Sequence, residues 1–238
     1  QARHSLGGAP LWARFATVSA GPVFNFILSI LVFGGMAIWQ GMPVDQVQVG
    51  RLHATPPGVA MQLQPGDRIV ALDGAPIAKW ADLGRVAGKL APRDSHDWTV
   101  IRDGSEITVP GPNPIPPLIT GIAPRSPAAS AGLQPGDVIL AIDGQPVSRF
   151  DQLRTAVAAA EGRPVLLSVW REGAGIADYA LAAREQDLPT ETGYEKRWLI
   201  GVNGGGTYFE PATRATGPVE ALQTGVQRTW DIIASSVS

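Results

Sequence analysis

Cysteine is absent from the 238 residues, which removes disulfides, thiolate nucleophiles and zinc–thiolate sites at once and leaves the redox compartment open. Histidine is scarce: His4, His53 and His96 are the whole supply. None is followed by Glu, so the His-Glu-x-x-His helix motif that binds zinc beside a general base is missing. The scattered three are expected to be solvated or hydrogen-bonded, and no catalytic residue or metal ligand is expected in this stretch. There is no Gly-x-Ser-x-Gly elbow. The glycine-rich run at 201–206 has neither a following Lys-Ser/Thr nor a following helical pattern, and reads as a loop. Charge is sparse as well, 17% of residues with a net charge of -2 and a pI near 5.9, which gives no electrostatic basis for nucleic acid binding.

What is present is unevenly spread. The 28 glycines and 21 prolines promise many turns, while apolar residues crowd the N-terminal part. Residues 15–39 carry no charge; as a helix they would run roughly 37 Å, against a hydrocarbon core of about 30 Å. The run is longer than a signal-peptide core and lacks a small-residue cleavage site. A spanning helix is therefore expected over 15–41. Arg3, His4 and Arg14 precede it and Asp45 follows, which orients the N-terminus to the cytoplasm and the remainder outside. Inside the run, Gly21-Pro22-Val23-Phe24-Asn25 frees a backbone carbonyl and brings in a side-chain amide. Both need protein neighbours, so companion helices are expected; Asn25 either joins helices or faces a wet site.

The rest of the chain repeats itself at about seventy residues. Gln64-Pro65-Gly66-Asp67 returns as Gln134-Pro135-Gly136-Asp137, and the same offset relates Ile69 to Ile139, Ala71 to Ala141, Asp73-Gly74 to Asp143-Gly144, Pro57 to Pro127 and Leu83 to Leu153. One module is duplicated. In the second copy, residues 118–122 read as a strand, Pro135-Gly136 as a turn, Val138 to Ile142 as a strand closed by Asp143-Gly144, and Val165 to Arg171 as a further strand. Ser148-x-x-Asp151 has capping-box spacing ahead of a helix with Phe150, Leu153 and Val157 on one face, ended by Gly162.

Residues 124–147 resemble the bacterial form of the PDZ domain; the first copy departs from the pattern with Gln62 where the second has Gly132. The resemblance implies an extended peptide, bound by its C-terminus, added as a strand. Its groove would lie between Leu118, Ile119, Thr120, Gly121 and Ile122 on one side and Phe150, Leu153 and Val157 on the other. On periodicity alone those three helix residues read more readily as core than as groove.

A span with Gly21-Pro22-x-x-Asn25, tandem PDZ-like modules, and a tail at 217–230 similar to the start of a further membrane helix together resemble the bacterial site-2 proteases, intramembrane zinc metalloendopeptidases. The resemblance implies a Zn2+ cofactor whose ligands lie outside this stretch, and Gly21, Pro22 and Asn25 as substrate-handling residues. It further implies a trimmed single-span substrate of the anti-sigma-factor type, and a multi-pass protein of the bacterial inner membrane with its PDZ modules in the periplasm. The expected fold class is a membrane helix plus α+β, arranged as a cytoplasmic lead (1–14), the membrane helix (15–41), PDZ-like modules (42–112 and 113–185), a connector (186–216) and the start of a second membrane helix (217–238). The proline run 110–117 is expected to fix the spacing of the modules. The competing reading is a non-enzymatic, membrane-anchored PDZ scaffold; a periplasmic serine protease ranks below it, since no protease domain precedes the modules.

Overall fold

The structure is a computed structural model that describes residues 11–44, 46–190 and 193–237, without the side chains of 11–20, 22, 23, 43, 236 and 237. Most of the lead expected at 1–14 lies outside the described residues. The chain divides into two compact units, one of residues 1–44 with 213–238 and one of residues 45–212.

The first unit holds helix α1 (Leu11–Gln40), a short antiparallel pair of Met42–Pro43 with Thr213–Arg214, and a C-terminal helix, Pro218–Val237, that packs along α1. Their contact runs through small residues: Gly34 faces the Ala221 carbonyl and Gly225 meets the backbone of Ile30, so any side chain there would push the helices apart. The expectation of membrane-spanning helices is corrected here. Among the described residues no helix is long and apolar enough to cross a membrane. In α1, Asn25, Ser29, Gly34 and Gly35 interrupt the apolar run. The C-terminal helix carries Glu220, Arg228 and Asp231.

The second unit contains both repeats. In module 1 a four-stranded antiparallel sheet is built from Arg68–Leu72, Ala75–Pro76, Ser95–Arg102 and Ser105–Pro112, and α2 (Trp80–Ala87) buries Leu83 and Val86 against it. Pro110 and Pro112 fall on the edge strand, where a missing N–H breaks no ladder. Module 2 repeats the plan with Val138–Ile142, Gln145–Pro146, Pro164–Arg171 and Gly175–Ala182, together with α3 (Pro127–Ala131) and α4 (Phe150–Ala159). In its hairpin turn Asp143 and Gly144 both take positive φ, 48° and 77°, as a two-residue loop with right-handed twist requires. The cap of α4 differs from the expected Ser148/Asp151 box: Gln152 Oε1 accepts the N–H groups of Ser148 and Arg149, both at 3.0 Å, since its longer side chain reaches back to them.

The segment expected as a connector is structured. Arg184–Thr190 and Gly193–Leu199 form a hairpin; beyond it, Val202–Gly204 pairs with Ile119–Ile122 of module 2, and Phe209–Pro211 pairs with Val49–Leu52 of module 1. Each module is thus closed by a strand from the far end of the unit. Module 2 sits in the chain as an insertion within module 1. Phe209 enters the module 1 core edge-on to Trp98, with ring centroids 5.8 Å apart. The modules are joined by an apolar cluster of Leu118, Val138 and Tyr208, backed by Val59 and Met61, and by Arg149, whose guanidinium donates to the Ala87 and Leu90 carbonyls at the end of α2 (3.0 and 2.7 Å).

Candidate peptide-binding site

In module 2 the turn motif fixes the start of the site. Asp137 accepts the Gln134 N–H at 2.8 Å and is gripped by Arg171, Nε at 2.7 Å and Nη2 at 2.8 Å, while the same guanidinium donates to the Gly132 carbonyl. Gly132 ends α3 in the left-handed region, φ 84°, and Ser126 caps the other end by accepting the Ala129 N–H. From this frame the Ala128 and Ala123 N–H groups donate to the carbonyls of Ile200 and Gly201, at 2.9 and 2.8 Å. These bonds pin the chain just ahead of Val202–Gly204.

Antiparallel pairing then decides which backbone groups remain free. Ala123 bonds to Gly201, so Gly201 faces its partner strand and Val202, next along, points its N–H and C=O away from it. Ile119 sends its own N–H and C=O to Asp137 and Gly136, so Gly204, which pairs with it, also presents its groups outward. Neither Val202 nor Gly204 makes a further backbone hydrogen bond among the described residues. Phe150, at the start of α4, lies against this edge: its ring rests on Gly204, a contact that only a residue without Cβ permits.

The sequence-derived groove residues are distributed differently from what was expected. Leu118 bridges to Val138, Ile119 is fully buried, and Gly121 and Ile122 pair with Asn203 and Val202. Thr120 donates its hydroxyl to the Asn203 carbonyl at 3.1 Å. The strand is therefore engaged along both edges. Leu153 and Val157 belong to the core with Val165 and Leu167, and Phe150 alone of the three is half-buried at the edge. Val202 and Gly204 were missed because the glycines at 201–206 read as loop; the signal available was the apolar Leu199-Ile200-Gly201-Val202 leading into them.

Asn25 lines a recess of about 340 Å³ with Phe26, Ser29 and Phe33 of α1 and Thr229, Ile232 and Ile233 of the C-terminal helix. Among the described residues nothing lies within 4 Å of where a side chain at Gly21 would begin, and the side chain of Pro22 lies outside the described residues.

A PDZ-domain family model matches residues 118–171. The chain is 26% identical over 270 residues to the regulator of sigma-E protease RseP of Salmonella typhimurium, an alignment covering 99% of this chain and 57% of the relative. The Escherichia coli protein of the same name is 26% identical over 271 residues, with the same coverage. A protein of Mesorhizobium japonicum provisionally named a zinc metalloprotease is 38% identical over 99 residues, 42% of this chain and 27% of the relative. These matches relate the chain to the site-2 proteases and give it a PDZ domain. The chain spans between about a quarter and three fifths of the length of these curated relatives.

The Mesorhizobium japonicum relative is named for zinc, but the described residues of this chain do not offer a fitting ligand set. His53 lies 3.5 Å from Glu210, whose carboxylate is already paired with Arg51, and the buried His96 ring is held between Asp73 (2.7 Å) and Asn113. Among the described residues no group of three or more His, Asp or Glu side chains gathers to hold a metal.

Proposed function

We propose that this chain is the substrate-screening part of a zinc metalloendopeptidase of the site-2 protease type, and that its PDZ pair passes only single-span substrates whose outer domain has already been trimmed, such as anti-sigma factors. The observation that carries this reading is the nested closure of the two modules. Because Phe209–Pro211 and Val202–Gly204 complete them in turn, and Arg149 ties them together, the pair forms one compact body suited to excluding bulky partners. The open edge of Val202–Gly204 supplies a place for an extended peptide C-terminus. Asn25, in its recess with Ser29 and Thr229, offers an amide to a locally unwound substrate strand, with Gly21 close by in sequence. The resemblance further implies a Zn2+ site outside the described residues, and a setting at the bacterial inner membrane with the PDZ modules on the periplasmic side.

The test uses the complete reading frame that contains this chain, expressed in bacteria with a single-span reporter substrate in trimmed and untrimmed forms. Cleavage of the trimmed form only, and of both forms after deletion of 45–212, is the expected result. Equal cleavage of both forms by the intact protein overturns the screening role. An Asn25→Ala protein that cleaves the trimmed substrate at an unchanged rate removes Asn25 from it.

A further inference from the structure

We infer that a recess at the joint of the two modules is a binding site for a small organic ammonium ion, an ammonium group carried on an apolar body of about one ring. The site goes beyond the screening role and is separate from the open strand edge: neither Val202–Gly204 nor any residue of α4 lines it.

The recess has a volume of about 230 Å³, more than the ~150 Å³ of an apolar cavity that takes up benzene. Pro56 and Pro57 reach it from module 1, Pro146 from module 2, and Pro116 and Pro117 from the segment that joins them. These prolines present apolar ring faces and have no N–H to give. The N–H groups of Val59, Ile139 and Val147, also in the lining, are spent on the carbonyls of Pro56, Pro117 and Leu140, and that of Ser148 is spent on Gln152 Oε1. The wall is therefore short of donors. That disfavours a carboxylate or phosphate and suits a ligand that donates without accepting, as an ammonium does.

Two lining groups are left to receive those donors. Tyr208 is 3% exposed and packs with Leu118 and Val138, yet its hydroxyl makes no hydrogen bond among the described residues. Asp94 carries the one charge in the lining, and its carboxylate has neither a hydrogen bond nor an ion pair among the described residues. Its neighbour Arg93 turns instead to Asp73, at 2.7 Å. The remaining amide in the wall is already committed: Asn113 Nδ2 donates to the Arg93 carbonyl at 2.7 Å, and its Oδ1 accepts the Ile115 N–H at 2.9 Å. Burial pushes the Tyr208 hydroxyl well above its ordinary range and the Asp94 charge pushes it further, so the hydroxyl stays protonated and within electrostatic reach of the carboxylate. A buried hydroxyl without a partner is costly. An ammonium in the recess donates to the Tyr208 oxygen and, through a charge-assisted bond, to Asp94, while its apolar body covers the proline rings.

The experiment titrates the full chain with phenethylamine at neutral pH by calorimetry, with the uncharged isostere phenethyl alcohol and with Nα-acetyl-lysine methylamide as comparisons, and maps the contact by hydrogen–deuterium exchange. The expected result is saturation at one amine per chain with a dissociation constant below about 1 mM, protection at 58–59, 138–140 and 147–148, and at least about tenfold weaker binding of the alcohol. The lysine derivative brings two amides that the donor-poor wall cannot satisfy, so it too should bind at least about tenfold more weakly. Equal or tighter binding of the lysine derivative overturns a free amine as the source of the cation. Asp94→Asn and Tyr208→Phe chains should each lose at least about fivefold in affinity for the amine and keep their affinity for the alcohol; the same loss for both ligands, or none for either, overturns the role given to these two oxygens. Equal binding of amine and alcohol by the unaltered chain overturns the cation preference. No saturation by about 10 mM, or protection confined to 200–206 and α4, overturns the site and leaves the recess to water.

Discussion

Arg102 grips Asp67 through two hydrogen bonds of 2.7 Å, Nε to one carboxylate oxygen and Nη2 to the other, and Arg171 holds Asp137 in the same fork one module later. The repeated Pro-Gly-Asp turn is therefore half of an ion pair whose other half comes from a distant strand. Each aspartate also accepts the N–H of the glutamine that opens its turn, Gln64 or Gln134.

Burial works to raise the Asp67 carboxyl, but the hydrogen bonds from Arg102 and Gln64 and the guanidinium charge outweigh it and hold the group below the usual carboxylate range. A depressed folded-state pKa contributes stability that is complete above the unfolded value of about 3.9 and is lost as pH falls through the folded value. Urea unfolding between neutral pH and about pH 2 should show this loss, and Asp67→Asn should flatten it. At neutral pH, Asp67→Ala should cost about 3 kcal/mol, because it strands a guanidinium and the Gln64 N–H.

Phe209 is buried against Trp98 and Trp80 although it lies beyond the whole of module 2 in sequence. Phe209→Ala should destabilise the unit by about 3–5 kcal/mol, the usual range for emptying an aromatic site in a core. Denaturant titration followed by tryptophan emission measures it, and a shift below about 1 kcal/mol would mean that module 1 closes without this strand.

Arg149 is 6% exposed, with its charge shared between Asp151 and two carbonyls at the end of α2. Arg149→Ala should broaden the distance distribution between spin labels placed on the two modules. An unchanged distribution would leave the Leu118–Val138–Tyr208 cluster as the sufficient joint.

In the helical pair, Gly225→Val should separate α1 from the C-terminal helix, since the new branched side chain would fall on the Ile30 carbonyl. Thermal unfolding reports it: the valine variant should melt below the parent, and an unchanged midpoint would mean that the helix contact tolerates the added bulk.

The elements most legible in the sequence were those written locally. Pro135-Gly136, Asp143-Gly144 and the Phe150-Leu153-Val157 spacing each specify a turn or a helix face by themselves, and Val138–Ile142 fell where it was expected. Less legible was whatever depends on a partner far along the chain. A strand as short as Val202–Gly204, with two of its flanking residues glycine, has no periodicity of its own; it exists because Ala123 and Ala128 bond to the carbonyls ahead of it. The strand at 118–122, expected to form one wall of a groove, is accordingly paired along both of its edges. The Arg partners of Asp67 and Asp137 were invisible for the same reason, and α1 shows that an uncharged run identifies a helix more readily than it identifies that helix's surroundings.

Nesting also sets an order of assembly. Module 1 is begun first, yet the strand pairing with Val49–Leu52 is the later of the two closing strands, and more than half the chain lies between those partners. Module 2 closes its shorter loop at Val202–Gly204 beforehand. During synthesis the second repeat can therefore finish while the first still waits with Trp98 uncovered, and that interval is when module 1 is open to mispairing.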